Sequence, residues 1–229
     1  MLESGEIISY REMCDAEHAS LQRGMNYKHQ GQESVLLMSV RSGAPYRDRV
    51  EDEGRVLVYE GHDVKKTQAT DPKKIDQPMR EPSGKLTQNG QFWEAAQRFQ
   101  TGKADAETVR VYEKIKTGIW VFNGIFRLVD SWQEDSGGRK VFKFRLELDS
   151  RDRPREVRFA SLEHQRFIPS SVKVEVWKRD GGRCVKCGSA DNLHFDHVIP
   201  FSHGGTSLVA KNIQLLCARH NIEKRDKVE

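Results

Sequence analysis

Cys184-Val185-Lys186-Cys187, then Leu193-His194-Phe195-Asp196-His197-Val198-Ile199-Pro200, then Asn212-Ile213-Gln214-Leu215-Leu216-Cys217-Ala218-Arg219-His220-Asn221, is the stretch that decides how the end of the chain folds. Two chemistries interleave in it. Cys184 and Cys187 make a C-x-x-C knuckle, and Cys217 with His220 makes a later C-x-x-H pair, which is zinc-ligand spacing. On a helix, Cys217 and His220 stand at i and i+3, so both reach one ion. A unit this small buries too little apolar surface to hold itself together, and a structural Zn²⁺ supplies the missing stability. Asp196, His197, Asn212 and Asn221 are different: a carboxylate, an imidazole and two amides, the groups that place a hard divalent cation beside a general base. Asn221 follows His220 by about 100° of helix rotation, so it can face away from zinc while His220 faces it.

Outward from this stretch, the chain has 229 residues, enough for two small domains, and a formal net charge of +4. The mildly basic balance permits nucleic-acid binding without requiring it. The mean hydropathy of −0.73 and the lack of a long apolar run argue against a membrane span. The opening Met1-Leu2-Glu3-Ser4-Gly5-Glu6 is acidic and polar, not a secretory signal. Three of the four cysteines belong to the zinc pattern. A disulfide framework is therefore not expected, and a reducing cytoplasm is.

The hydrophobic pattern predicts elements in order. Arg11 to Leu21 reads as a helix, Ser34 to Val40 as a buried strand, and Tyr46 to Gly54 as a charged loop. Arg55 to Tyr59 is a second strand, Lys65 to Lys85 a long exposed loop, and Gly90 to Gln100 a helix with Phe92, Ala95, Ala96 and Phe99 on one face. Gly118 to Phe122 and Ile125 to Trp132 read as two strands joined by an Asn123-Gly124 hairpin turn. Lys140 to Leu148 alternates as an exposed-face strand. Pro169-Ser170-Ser171 is a cap for a helix from Val172 to Arg179.

The C-terminal pattern resembles the zinc-stapled HNH nucleases of the ββα-metal class. It is carried by Cys184, Cys187, Asp196-His197, Pro200, Gly204-Gly205, Asn212 and Cys217 to Lys224, with His220 where cysteine is usual and Asn221 where histidine is common. The resemblance implies His197 as general base, Asn212 orienting its imidazole, and Asp196 with Asn221 binding one Mg²⁺ or Mn²⁺. Gly204-Gly205 lets the intervening loop turn tightly. His194 and His203 match no motif position and read as surface or DNA-facing; Lys211 and Lys224 read as phosphate-facing or solvated.

Residues 12 to 150 resemble an SRA (YDG) domain. The matching pieces are an apolar strand, a Tyr-x-Asp loop, a strand ending Tyr59-Glu60-Gly61, a helix, strands around Phe122-Asn123-Gly124 and a final Val141-Phe142-x-Phe144-x-Leu146 strand. The resemblance implies a reader that flips modified cytosine into an aromatic pocket. Tyr46 and Tyr59 stand at its aromatic positions and Asp48 at its acid, with Glu51 and Asp52 as alternates because the loop is one residue longer. Arg41, Arg47, Arg49, Lys65 and Lys66 are candidates for backbone contacts.

The expected fold is α+β, an SRA-like curved β-barrel with helices over residues 1–150 and an HNH domain over 168–229. Between them, residues 151–167 form an arginine-rich linker. The two resemblances together imply a Type IV-like restriction endonuclease. It would bind double-stranded DNA carrying 5-methyl- or 5-hydroxymethylcytosine and cut with an HNH site, as a homodimer or in two encounters if both strands are broken. The alternatives are a non-catalytic modified-DNA-binding protein, and an HNH nuclease whose N-terminal domain reads sequence or another modification.

Overall fold

The computed structural model of the chain describes residues 2–28, 32–39, 43–52, 55–67, 70–149, 168–200, 203–224 and 228. The linker expected at 151–167 and Arg41 lie outside these residues. Eight strands build one sheet: β1 (Ile7–Ser9), β2 (Met25–Asn26), β3 (Ser34–Met38), β4 (Arg49–Glu51), β5 (Val56–Glu60), β6 (Glu107–Lys116), β7 (Ile119–Asp135) and β8 (Lys140–Leu148). Their order is β2-β3-β6-β7-β8-β5-β4, with β1 added on β7. Every pairing is antiparallel except β3 with β6.

The sheet curves because its strands share one interior. Met25, Leu36, Leu57, Tyr59, Val109, Val111, Phe126, Leu128, Phe142, Phe144 and Leu146 meet Phe92, Ala95 and Ala96 of the helix α2 (Gln88–Gln100) in a single cluster. Thr87 caps α2, accepting from the Gly90 amide. The first helix, α1 (Tyr10–Ala16), is shorter than the periodicity predicts and is set by a capping box between Ser9 and Glu12.

Four sequence expectations change. Lys140 to Leu148 is an internal strand, flanked by β7 and β5, with Val141, Phe142, Lys143 and Phe144 all buried. The expected loop at Tyr46 to Gly54 contains the short strand β4, paired to β5. The Lys65–Lys85 region is anchored through Gln77: its Nε2 donates to the Gly61 carbonyl at 2.6 Å and its Oε1 accepts from the Phe142 amide at 2.8 Å. Asn123-Gly124 is not a turn. The β6–β7 hairpin closes at Thr117-Gly118, with Gly118 at φ 80°. At Asn123 the register slips, so that Val111 faces Gly124 and Tyr112 faces Phe122. Asn123 is the extra residue of a β-bulge, which re-aims its side chain out of the ladder.

The remaining residues form a smaller unit: α3 (Ser170–Arg179), the two-stranded sheet of β9 (Leu193–His197) and β10 (Ile213–Cys217), and α4 (Ala218–Lys224). Pro169 stands at the N-cap of α3 without a side-chain cap bond, so the expected Ser cap is absent. Val172, Val176, Leu193, Phe195, Ile213, Leu215 and Leu216 pack together, and Ile115 and Val121 of the large sheet join the same cluster.

Into this junction α3 inserts Lys173. Its ammonium donates to Glu113 Oε2 and to Asn123 Oδ1, each at 2.6 Å, while Asn123 Nδ2 donates back to Glu113 at 3.2 Å. All three residues are buried. Desolvation pushes the lysine below its ordinary pKa, against the attraction of Glu113. Removing one partner strands the other charge without water. Lys173→Met is therefore expected to lose about 3–5 kcal/mol in chemical denaturation, and adding Glu113→Gln to recover most of that loss.

Candidate nuclease and base-reading sites

β9 and β10 pair with Ile213 opposite His197, Gln214 opposite Asp196 and Cys217 opposite Leu193. Alternation along β9 sends Leu193 and Phe195 into the core and leaves Asp196 on the other face. β10 runs straight into α4, so one short hairpin and helix carry Asp196, His197, Cys217, His220 and Asn221.

The first cluster is Cys184, Cys187, Cys217 and His220, whose ligand atoms all lie within 4.8 Å of one another. Cys187 Sγ and Cys217 Sγ are 3.8 Å apart, and His220 Nδ1 is 3.4 Å from Cys184 Sγ and 3.3 Å from Cys217 Sγ. A tetrahedron with Zn–S of about 2.3 Å has an S···S edge of roughly 3.8 Å, and its S···N edge is shorter. The four donors thus fit one zinc ion. Burial raises the Cys184 thiol, but hydrogen bonds from the Cys217, Cys187 and Lys186 backbones and from His220 outweigh it and bring the thiol down to about 6.

Beside this cluster, Asp196 and His197 are both buried. The His197 Nε2 lies 2.8 Å from Ser207 Oγ. Asp196 Oδ2 pairs with Lys224 Nζ at 2.9 Å, and the same ammonium donates to the His197 carbonyl at 2.5 Å. Lys224 is wholly buried, so it neither faces phosphate nor is solvated. It clamps the end of β9 to α4. Asn212 holds the loop rather than the imidazole. Its Oδ1 accepts from the Ile199 amide at 2.9 Å, and its Nδ2 donates to the Ile199 and Thr206 carbonyls, both at 3.0 Å. Gly205 is required there, because a Cβ would stand 1.8 Å from the Ile199 carbonyl oxygen. Asn221 is half-buried on α4. His194 is buried and unlike a surface residue; desolvation lowers its pKa.

On the large sheet, a cleft of about 680 Å³ is lined by Tyr46, Asp48, His62, Gly24, Arg23, Trp120 and Lys114, among others. Asp48 accepts from the Ser39 amide at 3.3 Å and the Glu60 amide at 2.9 Å. Desolvation nevertheless pushes its carboxyl up to about 7. Glu51 lies in β4 and pairs with Arg49 and Arg145 instead. Tyr59 is not on the cleft wall. It is 1% exposed, its hydroxyl donating to the Leu37 carbonyl at 3.3 Å and lying 3.0 Å from His62 Nε2. His62, which the sequence reading passed over, stacks on Tyr46 with ring centroids 4.8 Å apart and an interplanar angle of 10°. Gly24 makes room: a Cβ there would stand 2.7 Å from the His62 ring. Burial lowers the His62 pKa to about 4, so the ring is neutral near pH 7. No local signal marks His62 or Ser207 in the sequence, since both act through partners distant along the chain.

Two family models match: SAD/SRA domain over residues 2–151 and HNH endonuclease over residues 184–227. No curated protein matches the chain. Among solved structures, the chain is similar to the SUVH5 SRA domain in complex with hemi-methylated CG DNA, at 25% identity and a TM-score of 0.45, covering 67% of this chain and 92% of that one. It is also similar to SUVH5 SRA bound to fully hydroxymethylated CG DNA, at 24% and 0.46 with the same coverage. A third is Arabidopsis thaliana SUVH6 in complex with SAM, at 22% and 0.43, covering 70% of this chain and 28% of that one.

Two outcomes follow from this geometry. Metal analysis should find one zinc per chain; Cys184→Ser should lose it, with a fall of several kcal/mol in the stability of the smaller unit. Asp48 keeps its proton to about 7 in the folded chain but has an ordinary value of 3.8. The folded state therefore binds more protons between these values, and stability falls as pH rises through that window. Asp48→Asn should remove this slope, gaining on the order of 2 kcal/mol at pH 8 relative to pH 5 when partial exposure is allowed for.

Proposed function

The chain belongs to the SAD/SRA domain family and ends in an HNH endonuclease domain, an enzyme that hydrolyses phosphodiester bonds of DNA; from that premise we propose that it is a restriction-type endonuclease directed by modified cytosine. What supports this is the presence on one chain of a cleft lined by Tyr46, His62 and Asp48 and of a β9–β10 hairpin and following helix that bear Asp196, His197 and Asn221, with Asn212 just before β10.

In the reader, an extruded 5-methyl- or 5-hydroxymethylcytosine exchanges stacking in the duplex for stacking in the cleft. Tyr46 is one wall, and Tyr59 acts through His62. Asp48 reads the base edge. A carboxylate has about four lone-pair sites, so the two backbone amides leave it able to accept the exocyclic amine. Arg23 and Lys114 at the cleft, with Arg47, Arg49, Lys65 and Lys66, supply charge for phosphates.

In the nuclease, His197 is the general base that takes a proton from water. The His197 Nε2–Ser207 Oγ hydrogen bond ties the ring tautomer to the serine hydroxyl: with Ser207 as acceptor, Nδ1 would carry the basic lone pair. Asn212 positions the loop that carries this arrangement, and Lys224 fixes the strand end through Asp196 Oδ2. Asp196 and Asn221 are oxygen donors suited to Mg²⁺ or Mn²⁺, chemically distinct from the sulfur-rich zinc site. Such a cation stabilises charge on the scissile phosphate and the leaving oxygen. One site cuts one strand, so a double-strand break calls for a homodimer on DNA or for two encounters. No helix among the described residues is long and apolar enough to cross a membrane.

The test is cleavage of one plasmid in unmodified, cytosine-methylated and hydroxymethylated forms with Mg²⁺ or Mn²⁺. Cutting is expected only of a modified form. His197→Ala should lose about 10²–10⁴-fold in rate, and Ser207→Ala a smaller factor with a shifted pH profile. Equal cutting of all forms would remove the reader and leave the nuclease. Selective binding without cutting would favour a binding-only protein.

A further inference from the structure

The hairpin of β6 and β7 has two working faces. Along β6, Lys114 lines the reading cleft, while its neighbours Glu113 and Ile115 face the smaller unit. Along β7, Trp120 lines the cleft, while Ile119 and Val121 pack against the smaller unit. The register agrees: Lys114 stands opposite Trp120, with its ammonium 5.7 Å from the ring centroid, and Glu113 stands opposite Val121. Successive side chains of a strand point to opposite sides. The same few residues therefore build the cleft wall and the seat of the nuclease.

Two further contacts lock that seat. The bulge turns Asn123 toward α3, where it closes the buried triangle with Glu113 and Lys173. A neutral amide suits this site: among the described residues Asn123 donates to the carboxylate and accepts from the ammonium. Beyond the triangle, Ile8 pairs with Trp120 through β1, and the chain just before β1 runs along the edge of β9. The Phe195 amide, just before Asp196 and His197, donates to the Gly5 carbonyl at 3.3 Å, and Glu6 bridges His194. A continuous backbone ladder thus leads from the cleft wall to the catalytic strand.

We propose that this hairpin, through Glu113, Asn123 and Lys173, is a fixed joint that sets the reach from the recognised base to the scissile phosphate. Scission then falls at one offset from the modified base, whereas a nuclease swinging on a tether would scatter its cuts. The three side chains touch neither base nor phosphate; they are positioning residues. The inference rests on the modified-base reading for its offset, and on packing alone for its rigidity.

The experiment uses the full chain and an end-labelled duplex with a single 5-methylcytosine. The wild type should cut at one phosphate or its immediate neighbour. Lys173→Met should spread the cuts over several phosphates, while the binding ratio of methylated to unmodified duplex stays unchanged. The Glu113→Gln/Lys173→Met pair, which removes both charges and keeps an amide to meet Asn123, should restore a single offset. If Lys173→Met does not fold, Asn123→Ala carries the test, since it leaves the ion pair in place. A merely structural role would lower melting temperature and total rate without moving the cut positions.

Spin labels introduced by non-canonical residues at the exposed positions Arg98 and Lys178 read the joint directly. One narrow distance distribution is expected in the wild type, broadened in Asn123→Ala. A broad wild-type distribution, scattered wild-type cuts, or folded variants that keep the wild-type offset would overturn the proposal. If the wild type ignores methylation, the modified-base reading falls, and the distance distribution still decides whether the joint is fixed.

Discussion

Lys173 and Glu113 bring an ammonium and a carboxyl group into a buried space, 2.6 Å apart, with the Asn123 amide bonded to both. An isolated buried charge costs several kcal/mol even after the protein relaxes. The two halves of the chain therefore have to meet at one place, in one register. The bulge at Asn123 belongs to the same constraint. Without the extra residue in β7, the amide would stay in the ladder and the ammonium would lose its second acceptor. The apolar cluster that joins Ile115 and Val121 to Val172, Val176 and Phe195 surrounds the pair and keeps water from it.

The smaller unit works by a similar economy of elements. β10 ends at Cys217 in the thiolate cluster and begins next to Asn212, which holds the loop from Ile199 to Thr206. α4 contributes His220 to that cluster and Lys224 to the Asp196–His197 strand end. A unit with so little core cannot rely on packing to hold catalytic groups in place. The four sulfur and nitrogen donors and one buried lysine take that part. At the other end of the molecule, the cleft follows the opposite plan. It is cut into a large sheet whose core is already complete, so residues such as Asp48 and His62 tolerate unfavourable surroundings that shift their pKa values.

Much of this was legible in the sequence, and the reason differs between residues. Cysteine and histidine at zinc spacing carry much of their geometry with them, because the C-x-x-C turn sets two donors within four residues and Cys217-x-x-His220, which the structure places across the end of β10 and the start of α4 and not on one helix, sets two more. Apolar runs marked the strands, since each must hide its side chains. The misreadings came from residues whose local meaning is ambiguous. Asn123-Gly124 has the composition of a hairpin turn, yet the long strand continues through it, because β6 pairs along one edge while β1 pairs before it and β8 after it on the other, and a bulge satisfies the same positive φ at Gly124. Lys140 to Leu148 alternates as though one face met water, but β5 and β7 enclose it, and Lys143 is buried against Glu60 at 2.8 Å.

The sequence by itself determined that the chain has a sheet-rich first part and a second part with four donors at zinc spacing, and it singled out Asp196, His197, Asn212 and Asn221 as candidates, because these rest on short segments. The tertiary structure alone decided who stands beside them. Ser207 against His197, Lys224 against Asp196, His62 against Tyr46 and Lys173 against Glu113 are all contacts between separate elements. Their energy comes from excluding water around a specific pair, and that condition exists only once the sheet has curved and the two units have closed on one another.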